Sequence, residues 1–281
     1  MTPLIINLAP TGMVPTSSMT PHVPLTSDRI ADDVLRCAAA GASMFHLHAR
    51  NPDESPSYCA ATYACIIDKI RQALPDAVLI VSTSGRIHRE FEQRAEVLSL
   101  PADSRPNMAS LTLGSMNFRH AASENSPGLV ERLAARMAEQ QVKPELEIFD
   151  LGMMNVAHYL ISRGLVRPPY YFNIILGNFQ GCQAKSSHLG AIVAELPDDS
   201  IWSVGGIGRA QTRSVLFGVA EGYGVRIGLE DNIWQDDART RLATNLDMVK
   251  QVRTITNAIG RPLASILETR RLLGLEARAE G

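Results

Sequence analysis

The chain has 281 residues, 45% hydrophobic and 20% charged, which suits a packed globular core and excludes a disordered polar chain. Lys and Arg number 27 against 29 Asp and Glu, a net charge of −2, so neither a basic nucleic-acid footprint nor an acidic solvating tail is expected. No apolar run approaches the roughly 18 residues of a membrane helix. No basic stretch precedes the apolar opening of residues 1–15, as a secretory signal would require.

Short β-rich apolar runs, bounded by Gly, Pro, Ser, Asn or Asp, alternate with helical patterns along the chain. The chain opens with a strand over 4–8, then a helix over 27–40 with Ser27 as N-cap and Gly41 past its end. A second strand over 43–49 precedes a helix over 58–74, and a third over 78–83 precedes one over 89–98. The fourth and fifth strands, 108–113 and 145–149, lead to helices over 128–141 and 154–163. Strands over 171–176, 201–204 and 225–230 lead to helices over 186–196, 209–221 and 238–259. A last helix is expected over 262–273, with Pro262 in its first turn.

Strand–helix alternation of this kind predicts parallel strands with right-handed crossovers. Eight such units give a single α/β domain over 1–281, a (β/α)8 TIM barrel with an extra C-terminal helix. The alternative is an open doubly wound sheet. It would carry a Gly-rich fingerprint after the first strand, where this chain reads APTGMVPTSS. Cys37, Cys59, Cys65 and Cys182 form no Cys-x-x-Cys pair, so reduced thiols and a cytoplasmic location are expected.

In a barrel the chemistry lies at the C-terminal ends of the strands. The second strand ends in Phe45-His46-Leu47-His48, and residues two apart share a face. His46 and His48 are therefore either half of a divalent metal site or a pair of hydrogen-bonded core histidines. On the eighth strand Arg226, Gly228 and Glu230 share one parity, and Val225, Ile227 and Leu229 the other. Arg226 and Glu230 should point inward with Gly228 leaving space between them, and Glu230 would complete a His–His–Glu triad. Ser82 and Ser110 offer hydroxyls to a substrate or a carboxylate, or bond the backbone. Thr112 follows on the same strand. Glu147 and Asn173 are further inward polar candidates, with an inter-strand salt bridge expected for Glu147. Gly205-Gly206-Ile207-Gly208-Arg209 reads either as a phosphate loop, with Gly206 and Arg209 touching the ligand, or as a tight turn into a helix. Metallohydrolase barrels need further His ligands on later strands, and the fifth and sixth strands supply none.

GASMFHLHAR followed by Pro56-Ser57, then LPDAVLIVSTSG, SLTLGSMNF, SVGGIGR, VRIGLEDNI and GRPLAS closely resemble the β-keto acid cleavage enzymes. The similarity runs in order from about residue 4 to 273. The best-known members act on 3-keto-5-aminohexanoate. The resemblance implies a zinc enzyme that turns a β-keto acid and acetyl-CoA into acetoacetate and a new acyl-CoA. It implies His46, His48 and Glu230 as metal ligands, Asp231 as acid–base carboxylate, and Ser82 and Arg226 poising it. It also implies a homotetramer, with Leu263, Ile266, Leu267 and Leu273 of the last helix available to cover a neighbour. Two rival readings are a zinc aldolase or hydrolase barrel that does not use coenzyme A, and a metal- or acyl-CoA-binding module without turnover.

Three positions depart from the relatives. Ser110 stands where they carry Thr. The loop after the sixth strand, 177–185, lacks their Gly-rich basic pattern. Val14 stands where members acting on aminated acids carry a carboxylate, so uncharged substrates are expected to turn over better than aminated ones.

Overall fold

The computed structural model of the protein describes residues 1–275. Eight parallel strands close into a barrel: β1 (Ile5–Leu8), β2 (Met44–Leu47), β3 (Val78–Val81), β4 (Met108–Thr112), β5 (Lys143–Ile148), β6 (Tyr170–Leu176), β7 (Ser200–Gly206) and β8 (Gly224–Ile227). Each strand pairs with its neighbours in sequence. β8 closes on β1, with Asn7 opposite Arg226 and Leu8 opposite Ile227. The helices α1 (Ser27–Ala40), α2 (Ala60–Ala73), α3 (Phe91–Ala95), α4 (Pro127–Glu139), α5 (Gly152–Ser162), α6 (Ser186–Ala194), α7 (Ala210–Ala220) and α8 (Asn245–Ala258) each follow a strand, and α9 (Ile266–Leu272) ends the described chain. This is the expected (β/α)8 barrel; residues 276–281 of the expected domain lie outside the described residues.

Strand parity sorts the apolar residues into two cores. Leu4, Ile6, Leu8, Phe45, Leu47, Leu79, Val81, Leu111 and Val225 face outward and pack under the helices. Ile5, Met44, Val78, Ile80 and Met108 face inward and fill the N-terminal end of the barrel, closed by Ala264 and Leu273. Leu273 is thus fully buried in its own barrel, a correction to its expected place against a neighbouring copy.

At α1 the N-terminus is capped by a residue other than the one expected, and α8 and α9 begin later than expected. Thr26, not Ser27, caps α1 by accepting from the Arg29 amide. α8 begins at Asn245, capped by Thr244, because the stretch expected to begin it instead forms a Trp234–Leu242 bridge. α9 begins at Ile266 behind a Ser265–Glu268 capping box. Pro262 lies outside α9: its carbonyl accepts from Leu4, and Leu263 bridges Leu4. A hairpin of Met116–Asn117 and Ala122–Ser123 after β4 was not legible as strands. Among the described residues no helix is long and apolar enough to cross a membrane.

Candidate active site

A cavity of about 650 Å³ opens at the C-terminal end of the barrel, lined by strand ends and the loops that follow them. His46, His48, Ser82, Ser110, Thr112, Arg226, Glu230, Asp231, Val14 and Arg209 all line it. Gly206 does not. It is the last residue of β7, and a Cβ there would meet Ala210 and Ser214 of α7, so the expected ligand contact at Gly206 is replaced by helix packing. The loop proper begins at Ile207.

β2 delivers the two imidazoles. Their ring centroids lie 5.2 Å apart, and both side chains are buried. His46 Nδ1 lies 2.6 Å from Glu145 Oε2. The other Glu145 oxygen accepts from Asn7 and Asn173, at 2.8 and 2.9 Å. With Nδ1 held by a carboxylate, His46 Nε2 is the nitrogen left for the cavity. The sequence reading overlooked Glu145. The signal was there: Glu145-Leu146-Glu147 on β5 repeats the two-residue spacing of His46-Leu47-His48.

β8 ends at Ile227, earlier than expected, because Gly228 has φ of +144° and leaves the strand. A Cβ at Gly228 would strike the backbone of Ala9, so its bareness serves the close approach of β1 rather than the space between Arg226 and Glu230. Glu230 then reaches the site through a turn, its amide donating to Ala9. Gly12, at φ +64°, makes room for it, since a Cβ there would run into the Glu230 side chain. Glu230 thus lines the cavity from a turn beyond the strand, not from a position within it.

Arg226 is 2% exposed. Its Nε donates to Asp231 Oδ2 at 2.8 Å and its Nη2 to Glu230 Oε1 at 2.7 Å. Glu147 Oε1 is 3.8 Å from Nη1, so the ion pair expected of Glu147 reaches across the barrel to β8. The other Glu147 oxygen takes the Thr112 hydroxyl at 2.5 Å. Gly208 N donates to the Asp231 backbone carbonyl at 2.7 Å, which ties the β7 loop to the main chain at this residue. Ser82 accepts from the Ser84 amide and makes no bond to Asp231 among the described residues. Ser110 accepts from the Thr83 amide. Val14, 51% exposed, sits at the rim.

Two side-chain trios bring potential metal donors together, with one donor atom of each residue within 4.8 Å of the others: His46, His48 and Glu230, and His46, Glu145 and Glu147. The second trio is already satisfied by His46, Asn7, Asn173 and Thr112. The first is not. His48 Nε2, 3.2 Å from Glu230 Oε1 but poorly aligned with it, and Glu230 Oε2 are both buried without a hydrogen-bond partner. Unpaired buried polar atoms are costly, so such a pair fits a bound cation.

Burial pushes the Glu230 carboxyl up, but His48 and Arg226 outweigh it and hold Glu230 well below the usual carboxylate value. At Asp231 burial prevails over Arg226, and the carboxyl sits above its ordinary value. Burial lowers His48 despite Glu230. At His46 burial also presses down, but Glu145 wins and the imidazole is raised.

The sequence pattern that defines the beta-keto acid cleavage enzymes matches residues 3–275. The chain is 36% identical over 276 residues to the 3-oxoadipate:acetyl-CoA acetyltransferase of Cupriavidus necator, covering 97% of this chain and 95% of that one. It is 31% identical to the 3-keto-5-aminohexanoate cleavage enzyme of Acetoanaerobium sticklandii, covering 98% and 99%. In fold it is similar to the apo structure of ObcA, with a TM-score of 0.81 at 21% identity over 92% of this chain and 66% of that one.

Proposed function

The chain belongs to the beta-keto acid cleavage enzyme family, and from that premise we propose that it condenses a non-aminated β-keto acid with acetyl-CoA to give acetoacetate and a new acyl-CoA. The observation that carries this reading is the Arg226 fork. One guanidinium holds Glu230 beside two imidazoles and Asp231 beside the open cavity.

His46, His48 and Glu230 would hold one divalent cation, and two imidazoles with one carboxylate suit zinc. The cation would supply Lewis-acid polarisation of the keto oxygen. Asp231 takes a proton from the methylene carbon between the ketone and the carboxylate of the β-keto acid. Arg226 keeps the Asp231 carboxylate oriented for this transfer. The carbanion adds to the thioester carbonyl carbon of acetyl-CoA. The coenzyme thiolate leaves that carbon and adds to the neighbouring ketone carbon, whose bond to the former methylene carbon then breaks; acetoacetate departs with the proton returned from Asp231, and the acyl group stays on sulfur. Arg226, already charged and fixed, balances the negative charge that grows along this path. Ser82 and Ser110 present hydroxyls to the bound acid, and Arg209 adds positive charge at the rim. Val14 presents apolar surface there, so an ammonium tail would be desolvated without a partner.

A panel of β-keto acids assayed with and without acetyl-CoA tests the reading. Acetoacetate should form only when acetyl-CoA is present, and Val14→Glu should shift preference toward 5-amino-3-oxohexanoate. Cleavage without acetyl-CoA would instead mark an aldolase or hydrolase, and binding without turnover an acyl-CoA carrier. We also propose that the chain forms a homo-oligomer, as its resemblance implies. Light scattering at micromolar concentration should return a multiple of the chain mass, and a monomer would overturn this.

A further inference from the structure

We propose that Arg86 is a specificity-determining residue that binds a second carboxylate, at the far end of the β-keto acid, so that the preferred substrates are 3-oxo dicarboxylic acids. The inference rests on the β-keto acid reading above and names the class of acid within it.

Arg86 lies in the loop after β3 and lines the cavity with Ser82 and Ser84. Its Nε is buried without a hydrogen-bond partner. Among the described residues its guanidinium makes no ion pair and no side-chain hydrogen bond; only its backbone amide is bonded, to Ser84. Burial lowers its pKa, and Glu230, Asp231 and Glu147 oppose that from across the cavity. None of the three forms an ion pair or a hydrogen bond with it among the described residues. Arg226 takes Glu230 and Asp231, and Thr112 takes Glu147.

An arginine without a partner ordinarily swings to water. This one is held in place. Its guanidinium lies 3.5 Å from the centroid of the Phe118 ring, and Phe118 stands edge-on against Phe149, with centroids 5.8 Å apart. The loop beneath it is clamped by a second buried arginine, Arg94. That side chain donates to the Thr83 carbonyl and Asn125 Oδ1, both at 2.7 Å, and to the Glu124 carbonyl at 3.0 Å. The two arginines define the contrast. Arg94 has spent its donors on the fold, whereas Arg86 offers a planar, pre-oriented fork to the cavity. A carboxylate matches that fork with two parallel hydrogen bonds.

The anion could come from the keto acid or from the coenzyme. Arg86 lines the same cavity as Ser82, Glu147, Glu230 and Asp231, at the end where the keto group would bind. The coenzyme phosphates lie a full pantetheine arm from the thioester, and Arg119, Arg209 and Arg239 also line the cavity to meet them. The apolar Val14 fits the same class, because no acidic group at the rim would repel a carboxylate.

The test compares 3-oxoglutarate, 3-oxoadipate and 3-oxopimelate with 3-oxopentanoate, 3-oxohexanoate and 3-oxoheptanoate, in the wild type and in Arg86→Gln. In the wild type at least one diacid should exceed its monoacid in kcat/KM by about tenfold or more. In Arg86→Gln that ratio should fall by about 10²-fold, the scale for losing one partner of a desolvated charge pair. Calorimetric titration of the same diacids into the metal-loaded proteins without acetyl-CoA should show a matching loss of affinity. Equal ratios in the two proteins, or no diacid preference in the wild type, overturn the proposal. So does a rise in the acetyl-CoA KM with the ratio kept, which would assign Arg86 to the coenzyme. If no acid yields acetoacetate, the reaction reading fails, and the calorimetric comparison still decides whether Arg86 binds the diacids.

Discussion

At the N-terminal ends of the strands, Ile5, Met44, Val78, Ile80 and Met108 meet Ala264 and Leu273 in a sealed apolar layer. Farther along the same strands the interior turns polar, with Asn7, His46, Glu145, Glu147, Asn173 and Arg226 all buried. The one polar group of that cluster among the described residues is the Tyr171 hydroxyl, and it is paired, donating to Ser203 and accepting from Asn7. The upper layer leaves His48 Nε2, Glu230 Oε2 and Arg226 Nη1 without hydrogen-bond partners. One end therefore lowers the free energy of the folded chain, and the other holds groups in place for a ligand. Changes at the upper end should move activity with little effect on folding, and changes at the lower end should do the reverse.

Asp231→Asn should have the largest effect. It keeps the acceptor for Arg226 but removes the base, so turnover should drop about 10² to 10⁴-fold while bound metal and melting temperature hold. Near-wild-type turnover would move the proton transfer to another residue. Leu273→Ala is the counterpart at the lower end. A fully buried leucine truncated to alanine costs about 2–5 kcal/mol, and kcat per folded molecule should be unchanged. Denaturant unfolding measures the cost. Loss of assembly with no loss of chain stability would return Leu273 to a neighbour's surface.

Glu145→Gln probes the seam between the ends. The amide preserves shape but removes the charge that orients His46, so metal affinity should fall about 10- to 100-fold with the fold retained. Competition with a chelator reads this, and unchanged affinity would make Glu145 purely structural.

The smallest effect is expected at Lys143, the first residue of β5, whose pKa burial lowers to about 8. Above that pH the folded state binds fewer protons than the unfolded one, so stability should rise with pH between about 8 and the ordinary lysine value of 10.5. Lys143→Met should flatten that rise, and an identical slope in the variant would assign it elsewhere.

The barrel was legible because each strand carries its own alternation. Phe45 and Leu47 faced the helices and His46 the interior, as the two-residue period requires. Residues beyond a strand's end escaped that rule. Glu230 arrives by a turn that Gly228 starts, and Gly206 is still strand where a loop was expected. Glu145 was hidden for a different reason. A carboxylate inside a barrel looks unfavourable until His46, Asn7 and Asn173 are known to surround it, and those come from three other strands. Arg86 was invisible for the same reason, since its lack of a partner is a property of the folded cavity.

The proposed reaction requires that His46, His48 and Glu230 hold a metal ion at the upper end. Metal analysis of the purified wild type and of His46→Ala tests this directly. One divalent ion per chain in the wild type, with metal and acetyl-CoA-dependent turnover lost together in the variant, is the predicted result; full metal occupancy in His46→Ala would contradict it.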